Sequence, residues 1–513
     1  MATKRKPPKL FDIHCLDELG VDIRNLQVDS RRIQPGDTFL AYAGEKQDGR
    51  HYISQAIAAG ANAVLWDPQD FLWDSRWSVP SLAIHELKAR AGEIASYVYG
   101  QPSQKLWTIG ITGTNGKTSC SHWYAQAMNE LQKKTAIIGT LGNGFIPALE
   151  AASNTTPDAT VLQQALATYA QQGAENVVME VSSHGIVQGR VNGTTFSVAV
   201  LTNLSRDHLD YHRDMDAYAA AKARLFFWSG LKFAVINMDD VLGVELSRQL
   251  AGKPTRIIGY GFHYPELGCY STHFSLVYGS NLRASVDGVE FDVEFEGQVA
   301  HLQVNVLGKF NAYNLLAVLA ALLASNISLV YAARALQRVH AIPGRMEKHV
   351  AAKQPMIIVD YAHTPDALEK VLNSLQDILR STTRNQVDPP RLHCVIGCGG
   401  DRDRGKRAMI GEVATRLADT VIFTSDNPRS EDPLRIIDDI TAGAHGRRYQ
   451  VEVDRALAIY QAIDNAQIGD IVLVAGKGHE KYQEIRGEKI PFDDNEVVRQ
   501  VLHDLAGQSR VRS

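Results

Sequence analysis

Residues 108–119 read Thr-Ile-Gly-Ile-Thr-Gly-Thr-Asn-Gly-Lys-Thr-Ser, and no other stretch restricts the possible folds of this chain as much. An apolar strand runs into a glycine-rich turn, and Lys117, Thr118 and Ser119 then open a helix. Glycines at 110, 113 and 116 let the backbone curl so that several N–H groups point at one anion. The helix N-terminus adds favourable partial charge. A triphosphate suits such a cradle: Lys117 would neutralise the β- and γ-phosphates, and the Thr118 hydroxyl would ligate magnesium. The strict pattern wants glycine five residues before Gly116, where this chain has Ile111. The bland alternative is a glycine-rich strand-to-helix turn without a ligand. ATP binding alone names no reaction.

A strand, phosphate turn and helix of this kind sit in a parallel sheet flanked by helices, and the surrounding sequence agrees. Trp107–Thr112, Val177–Val181, Val198–Thr202 and Phe233–Asn237 read as buried strands, with helix-like sequence between several of them. Residues 270–307 differ. HFSLVYG, EFDVEFEG and HLQVNVLG alternate as antiparallel strands do, a β extension closing this region. Ahead of the turn, Thr38–Tyr42 and Ala63–Trp66 are apolar runs and His51–Ala59 has a helical pattern, the marks of a small α/β domain. Tyr99-Gly-Gln-Pro-Ser103 is a linker. A break at Ala341–Arg345 opens a further α/β unit with strands Met356–Asp360, Leu392–Ile396, Thr420–Thr424 and Ile471–Ala475. The 513 residues therefore divide into three α/β domains, 1–101, 102–341 and 342–513.

Charge and cysteine content narrow the partners. Fifty-three basic against fifty-seven acidic residues leave a net charge of −4, which argues against a general nucleic-acid binder. Cys15, Cys120, Cys269, Cys394 and Cys398 are odd in number and scattered, so they read as buried thiols in a reducing compartment. The N-terminus, MATKRKPPKLFDIH, is basic but lacks the apolar run of a signal peptide, and no stretch of about 18 apolar residues could span a membrane. A cytoplasmic enzyme is expected, acting as a monomer.

Further motifs follow the phosphate turn in order. They are MEVSSHG at 179–185, TNLSRDHLD at 202–210, GKFNAYN at 308–314, GRME at 344–347, DYAHTP at 360–365, GGDRD at 399–403, DNPR at 426–429 and GKGHE at 476–480. Together with GTNGKT at 113–118 they resemble the Mur ligases and their folylpolyglutamate synthase relatives over nearly the whole chain, most closely the members that add meso-diaminopimelate. The resemblance implies a UDP-binding N-terminal domain, a central ATPase-type domain with a mostly parallel sheet, and a Rossmann-like C-terminal domain. It also implies the reaction. ATP phosphorylates the γ-carboxylate of the D-glutamate in UDP-N-acetylmuramoyl-L-alanyl-D-glutamate, and the amine of meso-diaminopimelate attacks the acyl phosphate. An amide, ADP and phosphate result, in peptidoglycan precursor synthesis.

Residue roles follow from matching positions. Gly113, Thr114, Asn115, Gly116, Lys117, Thr118 and Ser119 would hold ATP, with Asn311, Arg345 and His363 nearby. Glu180 and His208 would be magnesium ligands alongside Thr118, although imidazole is not magnesium's usual partner. Lys222, read alone, is a solvated lysine on the helical stretch 218–226. The family carries a carbamylated lysine there, a carboxylate-like group able to bind metal. In the N-terminal domain Ser30 would approach the uridine, beside Glu45, Lys46 and Gln47. A surface turn competes with that reading. Asn154, Thr155, Thr156, Ser182, Gln188 and Arg190 match positions holding the substrate's peptide and pyrophosphate.

The C-terminal domain would choose the amine. Lysine and meso-diaminopimelate differ by one distal carboxylate, and Arg429 offers it a bidentate cation. Asp426, Asn427, Pro428, Arg402 and Gly476 match the other contacts, with Glu480 at the distant ammonium. The alternative makes Asp426-Asn-Pro a turn and Arg429 a surface charge beside a helix. Other functions stay in view: a lysine-adding ligase, a folylpolyglutamate synthase-like ligase, the ligase adding D-alanyl-D-alanine, and a nucleotide-driven switch. The region before the turn and the DNPR box fit the second and third poorly.

Overall fold

The computed structural model describes residues 11–45, 47–264, 273–382 and 389–511, the side chains of 381–382 and 506–511 excepted. The N-terminal residues 1–10, four of them basic, and also Lys46 and Cys269 lie outside the described residues. The chain divides into two compact units. One comprises Met1–Gly110, Lys133–Ser197 and Phe227–Leu231, the other Ile111–Gln132, Val198–Phe226 and Lys232–Ser513.

The first unit opens with a four-stranded parallel sheet, Leu26–Gln27, Thr38–Ala41, Ala63–Trp66 and Ser81–Ala83, in chain order. Side chains alternate across a strand, so each face of this sheet builds its own core. Leu40 and Leu65 pack with Leu87, Ala91 and Ile94 of the helix Leu87–Val98. Phe39, Ala41 and Val64 pack on the other face with Ile53 and Ala56. The helix expected over His51–Ala59 is shorter: Gly49–Tyr52 winds tightly, capped by the Asp48 side chain, and only Ile53–Ala58 is α-helical. Asp48 competes for the first backbone N–H groups, as an Asp at a helix start does. The same unit holds Asn176–Glu180 paired in parallel with Thr135–Gly139, followed by the antiparallel Gly142–Phe145 and Ala148–Glu150.

In the second unit Val198–Leu201, Phe233–Asn237, Arg256–Gly261 and Phe274–Ser285 pair in parallel. Gly288–Phe295 and Gln298–Val304 then add antiparallel strands, the expected β extension. Helix Lys309–Ala324 is buried on nearly every side, as its continuous apolar sequence requires. A six-stranded sheet follows, ordered Glu347–His349, Met356–Asp360, Ile471–Ala475, Leu392–Ile396, Thr420–Phe423 and Gln450–Val451, with only the first edge strand antiparallel. Ile471, Leu473 and Ala475 face one core under the helices Pro365–Thr382, Gly405–Leu417 and Pro433–Thr441. Val472 and Val474 face another under Arg455–Asp464 and Asp494–Val511. Helices on both faces explain why the inner strands, Ile471–Ala475 above all, are predominantly apolar.

The architecture is α/β with mostly parallel sheets. Cys120, Cys394 and Cys398 are buried thiols, but Cys15 is half-exposed because only Leu16 of its short helix turns fully inward. Among the described residues no helix is long and apolar enough to cross a membrane.

Candidate active site

The second unit builds the phosphate turn. Strand Trp107–Thr112 ends at Gly113, whose φ of 146° suits glycine, and a Cβ there would overlap Thr202 Oγ1. Gly116, at φ 89°, caps the helix Lys117–Glu130, and a Cβ on it would overlap Asn314 Oδ1. The turn is held from its outer side. Thr202 Oγ1 and Asn203 Nδ2 donate to Asn115 O at 2.6 and 3.0 Å, and Asn115 N donates to Asn203 Oδ1 at 3.0 Å. Ser205 N donates to Thr114 Oγ1 at 3.0 Å. Asn115 Nδ2 reaches Asp366 Oδ2 at 3.2 Å, and Ser119 is buried in the helix's first turn. The helix N-terminus is thus braced as an anion site needs to be.

Two lysines meet at this turn. Lys117 Nζ donates to Gly113 O and Thr114 O, both at 2.9 Å, and Lys222 Nζ donates to Gly113 O at 2.8 Å. Lys222 is only 1 % exposed, which overturns the plain reading of a solvated helix lysine. Helix Met215–Ala223, capped by Asp214, turns it inward beneath Tyr218. Burial first, then the charge of Lys117, drive its amine far below the usual lysine range, against the opposing Asp207. A neutral, buried amine is the form that reacts with carbon dioxide.

Around them stand the other expected nucleotide residues. Asn311 Nδ2 donates to Leu307 O at 2.7 Å, and Asn311 Oδ1 accepts from Asn314 Nδ2 at 2.9 Å. Arg345 Nη2 donates to Thr118 Oγ1 at 3.3 Å, and its guanidinium lies 4.3 Å from the Tyr361 ring centre. Asp360, quoted only as part of a motif, accepts from Met346 N and Ala362 N at 2.7 Å each, and so fixes the Arg345 loop against the sheet. His363 stacks edge-on against Tyr361; burial and then Lys406 push its pKa down to about 4, so it is neutral near pH 7. His208 stands at φ 55° with Nε2 3.4 Å from Asp207 Oδ2. Burial raises the Asp207 carboxyl, but His208, His363 and Lys406 outweigh it and the net shift is downward. Among the described residues no three His, Cys, Asp or Glu groups stand together as a metal cage.

In the first unit, Glu180 ends the strand Asn176–Glu180 and is 1 % exposed. Its carboxylate accepts from Thr140 N at 2.9 Å and Thr140 Oγ1 at 3.0 Å. Thr155 Oγ1 lies 3.0 Å from Thr140 Oγ1, and Thr156 Oγ1 donates to Glu180 O at 2.9 Å. Ser182 caps the helix Ser183–Val187 by accepting from Gly185 N, and Ser182 Oγ lies 3.0 Å from Thr156 Oγ1. Arg190 Nη1 donates to Thr156 O at 2.8 Å; Gln188 ends the same helix. Glu180, Thr155, Thr156, Ser182 and Arg190 therefore form one hydrogen-bonded patch, with Asn154 exposed on the adjoining loop. Farther off, Ser30 is buried and donates to Gln55 Oε1 at 3.1 Å, whereas Glu45 and Gln47 sit exposed in a turn closed by Gly44 N to Gln47 O.

The second unit also assembles the C-terminal motifs. Asp426, Asn427 and Pro428 are buried just beyond the strand Thr420–Phe423. Arg429, four residues before the helix Pro433–Thr441, stands at φ 52° and is half-buried, which tells against a solvated surface charge. Its Nη1 donates to Gly400 O at 2.7 Å. A Cβ on Gly399 would meet Arg429 Nη1 at 2.9 Å and Arg402 Cγ at 3.7 Å, so both arginines pass one glycine although Arg402 is otherwise exposed. Gly476, at φ 113°, leaves room for Asp426 Oδ2. Asn427 Nδ2 donates to Glu480 Oε2 at 2.7 Å. Sequence reasoning did not single out Lys477, which is fully buried between Asn427 Oδ1 (3.1 Å) and Glu480 Oε2 (3.2 Å). A lysine flanked by two glycines in a conspicuous motif was the available signal.

Comparison with known proteins agrees with this layout. Residues 22–98 match the Mur ligase family catalytic domain, 111–322 the Mur ligase middle domain, and 344–478 the Mur ligase glutamate ligase domain. The chain is 60% identical over 496 residues to the UDP-N-acetylmuramoyl-L-alanyl-D-glutamate–2,6-diaminopimelate ligase of Nitrosomonas europaea, covering 96% of this chain and 95% of that one. It is 48% identical to the protein of the same name from Chromobacterium violaceum, with 96% and 97% covered. A solved structure of a UDP-N-acetylmuramoyl-L-alanyl-D-glutamate–2,6-diaminopimelate ligase superposes with a TM-score of 0.66 at 37% identity, over 94% of this chain and 95% of the other.

Proposed function

The chain belongs to the Mur ligase family, and from that premise we propose that it joins meso-diaminopimelate to UDP-N-acetylmuramoyl-L-alanyl-D-glutamate at the expense of ATP. The observation that carries the choice of amino acid is that one short segment presents a guanidinium, Arg429, and through the buried Asn427 holds a carboxylate, Glu480. Diaminopimelate ends in one carboxylate and one ammonium, the complementary pair.

In this reading the backbone N–H groups of Gly113 to Ser119 and the Lys117 ammonium take the phosphates, and Asn311, Arg345 and His363 flank the nucleotide. The γ-phosphoryl group passes to the D-glutamate γ-carboxylate and ADP leaves with the bridging oxygen's electron pair. The substrate amine then attacks the acyl phosphate carbon, loses a proton, and inorganic phosphate departs. Holding the reactants in line and neutralising phosphate charge supply most of the acceleration. Thr118, Glu180, His208 and Lys222 as its carbamate would hold magnesium. When bound, the ion offsets the negative charge of the phosphates.

Thr155, Thr156, Ser182, Gln188, Arg190 and Asn154 hold the peptide and pyrophosphate, and Ser30, Glu45, Lys46 and Gln47 the uridine. Arg402, Asp426, Pro428 and Gly476 complete the amino-acid site. Domains 1–101, 102–341 and 342–513 carry the UDP substrate, ATP and amino acid respectively, in a cytoplasmic monomer. ADP release should require both the UDP-dipeptide and diaminopimelate, and the product mass should equal their sum less one water. Release without the amino acid, or a product carrying lysine in preference, refutes this assignment.

A further inference from the structure

The Asp426–Arg429 segment lies outside any helix, and Arg429 adopts a left-handed backbone that a β-carbon disfavours. The neighbouring strand Tyr482–Ile485 supplies the restraint. Arg429 N donates to Glu484 O at 2.9 Å, Arg486 N to Arg429 O at 2.7 Å, Glu484 N to Asn427 Oδ1 at 2.9 Å and Gln483 Nε2 to Asp426 O at 2.9 Å. That strand is one arm of a separate two-stranded hairpin with Glu488–Pro491.

The side chains extend the restraint. Glu484 Oε2 lies 3.2 Å from Arg429 Nε while Gly400 O takes Nη1, so the planar guanidinium is held at two of its three nitrogens and its remaining N–H groups have a defined direction. Asn427 links this pair to a second. Its Oδ1 accepts from both Lys477 Nζ and Glu484 N, and its Nδ2 donates to Glu480. Arg429, Glu484, Lys477 and Glu480 sum to zero charge. A ligand end bearing one ammonium and one carboxylate leaves that balance intact; an end bearing only an ammonium leaves Arg429 without an anionic partner from the ligand.

We propose that Glu484 is a specificity-positioning residue, which fixes the Arg429 guanidinium for the distal carboxylate of a diamino dicarboxylic acid and keeps the four-charge site neutral. This rests on the diaminopimelate reading above. The test uses the full chain with saturating ATP and UDP-dipeptide, varying meso-diaminopimelate or L-lysine, for wild type, Glu484→Gln and Glu484→Asp. Glu484→Gln should raise KM for diaminopimelate roughly tenfold, the scale of one charge-assisted hydrogen bond, with kcat and the KM for ATP within about twofold. Glu484→Asp should recover part of that loss. An unchanged diaminopimelate KM overturns the proposal, as does a parallel fall in kcat, ATP affinity and Tm. A wild-type enzyme indifferent to diaminopimelate would instead sink the parent reading, so the two failures are distinguishable.

Discussion

Replacing Arg429 with alanine isolates the choice of amino acid. In the structure this guanidinium makes a 2.7 Å hydrogen bond to Gly400 O and a 3.2 Å ion pair with Glu484. Both are made before any ligand arrives, and Glu484 is partly exposed, so their loss is largely relieved by water. What the ligand loses is different: its distal carboxylate no longer has the bidentate guanidinium that faces it. Two charge-assisted hydrogen bonds are worth about 1.5–3 kcal/mol each, so a loss of about 3–6 kcal/mol in transition-state binding is expected. At about 1.4 kcal/mol per decade this is roughly a hundredfold or more in kcat/KM for meso-diaminopimelate. L-Lysine lacks that carboxylate, and its kcat/KM should stay within a few-fold. The assay is coupled ADP release with each amino acid varied at saturating ATP and UDP-dipeptide. Equal losses for both amino acids, or none for diaminopimelate, would refute the reasoning.

Lys222 should need carbon dioxide: a preparation freed of it should lose activity and magnesium affinity, and bicarbonate should restore both, whereas identical behaviour removes the carbamate. Arg455 and Asp494 form a fully buried ion pair with contacts of 2.7 and 2.8 Å. Arg455→Met should destabilise the fold by about 3–5 kcal/mol in urea unfolding, because Asp494 is left charged and unpaired, and the double variant Arg455→Met, Asp494→Leu should recover much of that. The Arg407 guanidinium, against the opposing effect of burial, holds the Glu431 carboxyl down from 4.5 to about 2. A depressed carboxylate stabilises the fold above its unfolded pKa, so thermal stability should fall as pH drops from about 4.5 towards 2, and less so in Glu431→Gln.

Much of the fold was legible because its signals are local. Strands Ala63–Trp66, Trp107–Thr112, Phe233–Asn237, Met356–Asp360, Leu392–Ile396 and Ile471–Ala475 stand where predominantly apolar runs placed them, since a strand covered on both faces is apolar along most of its length. Periodicity was less informative at His51–Ala59, where the Asp48 cap decided the winding. In the site, the motifs marked Arg429, Asn427 and Glu480, but none of them included the strand Tyr482–Ile485 that restrains Arg429.

By itself the sequence determined the phosphate turn, the alternation of strand and helix, and the chemical types offered by each motif, because these depend on neighbours within about a dozen residues. Only the tertiary structure decided that Lys222 is buried against Gly113 O, that Asp360 fixes the Arg345 loop, and that Lys477 and Glu484 pair with Glu480 and Arg429. The physical reason is that burial and electrostatic pairing belong to the surroundings. A lysine's charge state is set by what excludes water from it and by which charges, distant along the chain, stand within a few ångströms.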